Sequence, residues 1–389
     1  MGRLVPLLVL TLATPGLAAQ NAPGGPAPEK PRRTVVLSGL VLVNGFFTNA
    51  GVDNSDVPEF ATTDTVGVSG SGGSIRQTRV GVLFTDPEVL GGKFSGELDA
   101  DFFGGQQPSA GGRTFPLLRI RRAVGTLRWS HIGLLFGQEA PLVAERSPRS
   151  LASIGFPDFA AAGNLWLWLP QGRLTIETGY SFRLALQAAI LAPTTGAAQT
   201  AFTTQPDSAE RSRRPALEGR LRVGWGPPDD PGEIAVGAHL SWFKGLDSTT
   251  GDTLLVSKAV TADTRFKIGF AEVIAAAYMG QALTGLGGGG IGQNVGVMGV
   301  PVRSTGGWTQ VNLRPIRHIM FGGGCGIDDP DDRDVPPGGR FRNFVCEGHL
   351  EWRPPGPLVF GFEYRRFTTR YQGGDFTASH LNLAAGFQL

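Results

Sequence analysis

Beyond its first twenty residues, this 389-residue chain has no long apolar run. A helix that crosses a bilayer needs about twenty consecutive apolar residues, so a helical membrane protein is excluded. The one apolar run, residues 4–13, is too short to span. Behind Arg3 and ahead of the small-x-small site Gly16-Leu17-Ala18, it reads as a signal peptide over 1–18. An excess of charge of one sign is missing as well. With Arg3 set aside, 34 basic residues oppose 33 acidic ones, which leaves no electrostatic footprint for nucleic acid. Cysteine is nearly absent: Cys325 and Cys346 alone build neither a disulfide scaffold nor a zinc site. The five histidines, at 131, 239, 318, 349 and 380, are dispersed without metal-ligand spacing. No G-x-S-x-G occurs, no pair of catalytic carboxylates stands out, and Ser241 and His239 share one predicted strand. The residues therefore suggest no enzyme, no cofactor and no metal.

Glycine, by contrast, is abundant. The chain has 58 glycines, about twice the usual share of roughly 7%. Charged residues make up 17% of the chain, yet mean hydropathy is near zero. Residues 19–33 are rich in proline and glycine and read as a periplasmic tail. From Thr34 onward, short segments with period-two alternation recur. The clearest is the last, where Leu381, Leu383, Ala385, Phe387 and Leu389 share one face. Sixteen strands are predicted: 34–48, 75–84, 93–103, 117–128, 131–137, 171–178, 182–192, 214–225, 233–243, 254–268, 271–281, 302–313, 317–326, 341–352, 357–370 and 378–389.

The connections alternate in length. Long links at 49–74, 104–116, 138–170, 193–213, 244–253, 282–301, 327–340 and 371–377 take turns with tight ones. Long loops at one end, short turns at the other and an even strand count are the pattern of an outer-membrane β-barrel. Without spanning helices, a closed barrel is the remaining way to satisfy every backbone group in lipid. The expected fold is all-β, a transmembrane antiparallel β-barrel of about sixteen strands over 34–389, with lipid outside and an aqueous lumen within.

On the inferred inner face, Glu97, Asp99 and Asp101 stand beside Arg119 and Arg121 on one neighbour and Gln77 and Arg79 on the other. Two readings follow. The rows pair across the wall and stiffen it, or surplus arginines (Arg79, Arg119, Arg121, Arg183, Arg220, Arg222 and Arg365) set a positive potential for anions. The longest link, 138–170, carries Glu139, Glu145, Arg146, Arg149 and Asp158, with Trp166 and Trp168 near its end. Its apolar anchors suit a segment that folds inward and narrows the lumen; an extracellular flap is the alternative.

Several stretches resemble the DcaP-like porins. They are Arg76-Gln77-Thr78-Arg79-Val80-Gly81, Leu90-Gly91-Gly92-Lys93, Glu97-Leu98-Asp99-Ala100-Asp101-Phe102-Phe103-Gly104 and Leu118-Arg119-Ile120-Arg121-Arg122-Ala123. Leu134-Leu135-Phe136-Gly137-Gln138, Cys325-Gly326-Ile327-Asp328-Asp329-Pro330-Asp331-Asp332, Arg342-Asn343 and Gly361-Phe362-Glu363-Tyr364 continue the likeness. It is good over 75–138 and 317–389 and weak between. The resemblance implies a homotrimeric, sixteen-stranded porin, distantly similar to the phosphate-selective porins O and P, whose lumenal arginines attract small anions such as dicarboxylates. The chain departs from the family pattern in three places. No heptads precede Thr34, Arg122 stands where a histidine is usual, and the last residue is Leu389 rather than an aromatic one.

Asp328, Asp329, Asp331, Asp332 and Asp334 crowd one loop without the spacing of an EF-hand. They read as a solvated turn whose repulsion Arg333 and Arg340 relieve, with Ca²⁺ binding as the alternative. Gly287, Gly289 and Gly292 match G-x-G-x-x-G by chance, with no strand-to-helix context. Cys325 and Cys346 flank the acidic loop about four positions out of symmetric register, which leaves a disulfide and two unpaired lipid-facing thiols both open. The resulting expectation is passive diffusion of small hydrophilic, preferentially anionic solutes. A non-conducting structural or adhesion barrel is the runner-up, and a secreted β-sandwich the third reading.

Overall fold

The computed structural model describes residues 32–389 apart from 65, 67, 105–115, 197–205, 228 and 246–252. The signal peptide expected over 1–18 lies outside the described residues, as does most of the tail expected over 19–33. Strand segments follow one another in chain order: β1 (Thr34–Thr48), β2 (Gly70–Ser74), β3 (Arg79–Val89), β4 (Gly92–Asp101), β5 (Arg119–Arg128) and β6 (Ile132–Glu139). Then come β7 (Leu169–Gly179), β8 (Phe182–Leu191), β9 (Ala216–Trp225), β10 (Gly232–Lys244), β11 (Leu254–Ile268) and β12 (Ala271–Gln281). The set ends with β13 (Arg303–Ile316), β14 (Ile319–Pro330), β15 (Arg340–Trp352), β16 (Leu358–Tyr371) and β17 (Gly374–Gln388). Helical structure among the described residues is limited to short 3₁₀ turns, and no helix is long and apolar enough to cross a membrane.

From β3 onward each segment pairs antiparallel with the next, and β17 returns to β1, with Leu40 opposite Gln388 and Thr48 opposite His380. The other edge of β1 is shared. Its residues 34–40 pair with 79–85 of β3, and its residues 44–48 pair with 70–74 of β2. β2 and β3 are therefore two halves of one barrel strand, and the sheet is a closed sixteen-strand antiparallel barrel. The single strand expected at 75–84 is corrected to two pieces split at 75–78. The side chains at the split explain it. The Thr78 hydroxyl bridges the N–H and C=O of Leu42, at 3.1 and 3.2 Å, in place of a ladder bond. Gln77 turns inward to donate to Ala152 O and to accept from Ile154 and Gly155 N–H, each at 2.8 Å. Arg76 holds Asp56 of the 49–69 loop, Nε to Oδ2 at 3.0 Å.

Burial inverts the soluble-protein pattern. Leu98, Ile120, Phe136, Leu186, Ile190 and Val260 are exposed on the outer face, whereas Asp101, Arg220, Gln310, Glu363 and Asn382 are buried inside. In water, such an outer face would be an interaction site or an aggregation liability; around a barrel it is the lipid contact. The alternation of long and short links holds with one correction. The link expected at 371–377 is a two-residue turn, because β16 runs to Tyr371 and β17 starts at Gly374. The Arg370–Asp375 pair, 2.8 Å, extends that hairpin.

The segment between β6 and β7, residues 140–168, lies inside the wall. Phe159 and Ala162 pack with Ala61 against Ile274, Trp308, Val345, Phe367 and Ala378, which face inward from β12, β13, β15, β16 and β17. Val143, Ala144 and Leu165 pack on Ala259 and Tyr278 of β11 and β12. The strands make room with glycine. A methyl at Gly326 would meet Ala162 O at 2.2 Å, and one at Gly163 would meet Gly307 at 2.4 Å.

Candidate functional site

The first side of the site is the wall of β3, β4 and β5. Arg79 Nε donates to Asp99 Oδ1 at 3.1 Å, and Arg119 Nε to Asp101 Oδ1 at 3.0 Å. A bulge then shifts the register: Ala100 lies opposite Ile120, but Asp99 lies opposite Arg122, so Arg121 is the extra residue. The bulge turns Arg121 and Arg122 to the lumen together, where strict alternation puts Arg122 on the lipid side. Arg122 reaches Glu97 at 2.5 Å and Glu139 at 2.8 Å.

The second side is the inward segment, tied down by its charges. Leu142 N–H donates to Glu218 Oε2 at 2.6 Å. Glu145 accepts from Arg173 at 2.6 Å and from Arg220 at 2.7 Å. Arg146 donates to Asp263 at 2.7 Å and pairs with Glu233. Arg149 donates to Glu272 at 2.9 Å. Burial disfavours the Glu145 carboxylate, but Arg220 and Arg173, with Arg146 and Arg222 behind them, outweigh it and hold its pKa below the ordinary value. The opposite balance holds at Asp158. Burial and then Glu363 push its carboxyl well above the usual range, with Arg365 opposing.

Between the two sides lies a cavity of about 370 Å³, walled by Arg121, Arg122, Arg146 and Arg173, by Glu139 and Glu145, and by Trp166 and Trp168. A second cavity of about 230 Å³ toward the short-turn end shares Glu145 and Arg173 and adds Arg128, Glu177 and Arg222. Both lie along β5 to β9. Arg121 differs from its neighbours. Its guanidinium stacks on Trp168 at 4.5 Å, and Asp101, already taken by Arg119, stays 3.6 Å from its Nε. Neither Nε nor Nη1 makes a hydrogen bond.

The remaining residues singled out in the sequence are dispersed. Arg222 lies at the second cavity, bonded to Glu233 at 3.2 Å and paired with Glu177. Arg220 and Arg365 do not line open space: both are sealed, Arg220 on Asp263 and Glu145, Arg365 on Glu363 and Asp158. Arg183 caps the short-turn end, donating to Tyr180 O and Gly226 O. Arg122 and Arg173 are not among the lumenal arginines expected from the sequence. Arg122 is concealed by the bulge; Arg173 is visible in hindsight, because Gln171, Arg173, Thr175 and Glu177 alternate on one face of β7.

Two other motifs resolve. Cys325 and Cys346 are directly opposite on β14 and β15, Cα to Cα 4.1 Å, and form a disulfide. The four-position offset is corrected because both strands run further into the acidic loop, which shrinks to 331–339. In that loop, side-chain and backbone bonds from Arg333 bring Asp331 down to about 2. Arg303 rather than Arg340 takes Asp334, at 2.7 Å; Arg340 instead donates to Ile291 O. Asp328 is not solvated at all: it caps Gly290 and Ile291 N–H from inside the barrel.

A closed sixteen-strand barrel, apolar without and charged within, is a transmembrane β-barrel of the outer-membrane kind, and its place is the bacterial outer membrane. No family model matches the chain, and no curated protein matches it in sequence. Its fold is similar to the outer membrane channel DcaP of Acinetobacter baumannii, with TM-score 0.68 and 18% identity over 92% of this chain and 97% of that one. An anion-selective porin from Comamonas acidovorans matches with TM-score 0.58 and 12% identity, over 92% and 100%. OmpT, an outer membrane protein of Vibrio cholerae, matches with TM-score 0.55 and 11% identity, over 92% and 98%. At these identities the likeness is one of fold.

Proposed function

We propose that this porin passes small anionic solutes by diffusion, that Arg121 is the group that meets them, and that the 140–168 segment narrows the path. One observation carries the reading: Arg121, a residue 9% exposed with two side-chain nitrogens unbonded, lines a cavity that holds four arginines against two glutamates. A buried donor without a partner is a standing cost, and a passing carboxylate or phosphate relieves it with charge-assisted hydrogen bonds. Trp166 and Trp168 suit anions with a flat or apolar portion, dicarboxylates among them. The anion-selective Comamonas porin and the DcaP channel share this fold, which agrees with the reading. A trimer is the proposed assembly; OmpT of Vibrio cholerae has been solved in a trimer form.

Reversal potentials in a salt gradient across planar bilayers test the proposal. Wild type is expected to favour anions, and Arg121→Ala to move the permeability ratio toward unity by several-fold. A cation-selective pore unaffected by Arg121→Ala overturns it. The packed core around Phe159 and Trp308, which fills one side of the lumen, favours a second reading, a barrel that does not conduct. Absence of current from correctly folded protein supports that one.

A further inference from the structure

Away from the arginine cavity, three acids meet where the inward segment touches the wall. Asp158, Glu347 of β15 and Glu363 of β16 each offer a carboxylate oxygen within 4.8 Å of the other two. All are sealed, with Asp158 and Glu363 at 1% exposure and Glu347 at 7%. Two of them have partners. Glu347 accepts from Gln310 Nε2 at 2.9 Å and shares a hydrogen bond with His349 Nδ1 at 2.9 Å. Glu363 accepts from Ser153 at 3.2 Å and from Ser150, and pairs with Arg365 Nε at 2.8 Å.

Asp158 differs. Neither of its oxygens receives a hydrogen bond, and Arg365, the cation paired with it, stays at 3.5 Å. A buried carboxylate left without donors is costly and calls for an explanation. The same arginine serves both Glu363 and Asp158, so two buried acids share its one positive charge.

We infer that Asp158, Glu347 and Glu363 bind a divalent cation, Ca²⁺ in preference to Mg²⁺, which clamps the inward segment to β15 and β16. The ligand set is all oxygen, as a hard cation requires. Ca²⁺ holds oxygens at about 2.3–2.6 Å in irregular shells, so three oxygens at these separations converge on it with side-chain adjustment alone. Mg²⁺ demands near-octahedral shells at about 2.0–2.1 Å and keeps several waters, for which a sealed site with ligands already held by Gln310, His349 and two serines is poorly suited. Two positive charges offset the acids that Arg365 leaves unbalanced, and the orphaned oxygens of Asp158 gain a partner. The acidic loop at 328–334 lacks these features, because Asp331 and Asp334 are held by arginines and Asp328 by backbone N–H groups. This inference does not depend on which solute passes.

Calorimetric titration of CaCl₂ into the folded full chain in detergent, stripped with EGTA and dialysed, tests it. One saturable site per chain is expected, with MgCl₂ binding at least tenfold more weakly. Asp158→Asn and Glu363→Gln should each weaken Ca²⁺ by at least tenfold while the barrel keeps its heat-modifiable gel mobility. If Asp158→Asn loses that mobility, Glu347→Gln takes its place. No saturable Ca²⁺ uptake by the folded wild type overturns the inference. So does uptake unchanged in every folded variant, which puts the ion elsewhere, and Mg²⁺ binding as tight as Ca²⁺ overturns the choice of ion.

Discussion

Glu145 belongs to two arginines at once, Arg173 of β7 and Arg220 of β9, and sits on the boundary of both cavities. Glu145→Gln leaves those guanidiniums without their shared counter-charge. A stronger anion preference is expected in bilayers, together with a loss of about 1–3 kcal/mol in urea unfolding, the usual cost of orphaning a buried polar partner. Acid should imitate the substitution. Because the folded-state pKa of Glu145 is depressed below 4.5, its contribution is complete above that value and is lost as pH falls through the lower folded one. The differences in stability and selectivity between wild type and Glu145→Gln should therefore be flat from pH 7 to about 5 and change only below. A shift near neutrality would mean that another group controls them. Most of this detail was not legible in the residues. Arg79, Arg119 and Arg121 could be placed on the inner face by alternation alone, but the acids that hold Arg146 and Arg149 come from strands some hundred residues distant, and no local pattern announces that pairing.

At the level of strands, glycine acts as a seat. Gly324 and Gly326 of β14 receive Phe159 and Ala162, and a methyl on Gly326 would stand 2.2 Å from Ala162 O. Gly326→Ala should displace the inward segment at a cost of about 1–3 kcal/mol, the range for overpacking, and raise single-channel conductance. Unchanged conductance with full stability would show that the segment does not limit flow. The disulfide pins the neighbouring register, and Cys346→Ser should lower the resistance of that hairpin to proteolysis without opening the barrel. Period-two alternation made nearly every strand readable. It failed where a side chain breaks the ladder to reach the inward segment, at Gln77 and Thr78, and where the bulge at Arg121 reverses parity. It also misplaced the cysteines, because the register of a hairpin depends on a loop length that composition leaves open.

Taken whole, the interior is lopsided. Apolar side chains fill the lumen most against β12 to β17, with a smaller cluster around Leu142 on β7 to β9, and the arginine cavities run along β5 to β9. Replacing residues 144–166 with a short linker removes the filling but none of the sixteen-strand ladder. Such a variant should still migrate as a folded barrel, conduct several-fold more, and lose its ionic preference. A collapse of the barrel would instead make the segment a folding core. The seam between β1 and β17 has its own consequence. Nine facing positions join the strand synthesised earliest in the sheet to the one synthesised last. Until that final piece docks, the sheet is a ribbon with two raw edges whose N–H and C=O groups hydrocarbon cannot satisfy. Insertion into lipid and completion of the ring are therefore expected to be one event.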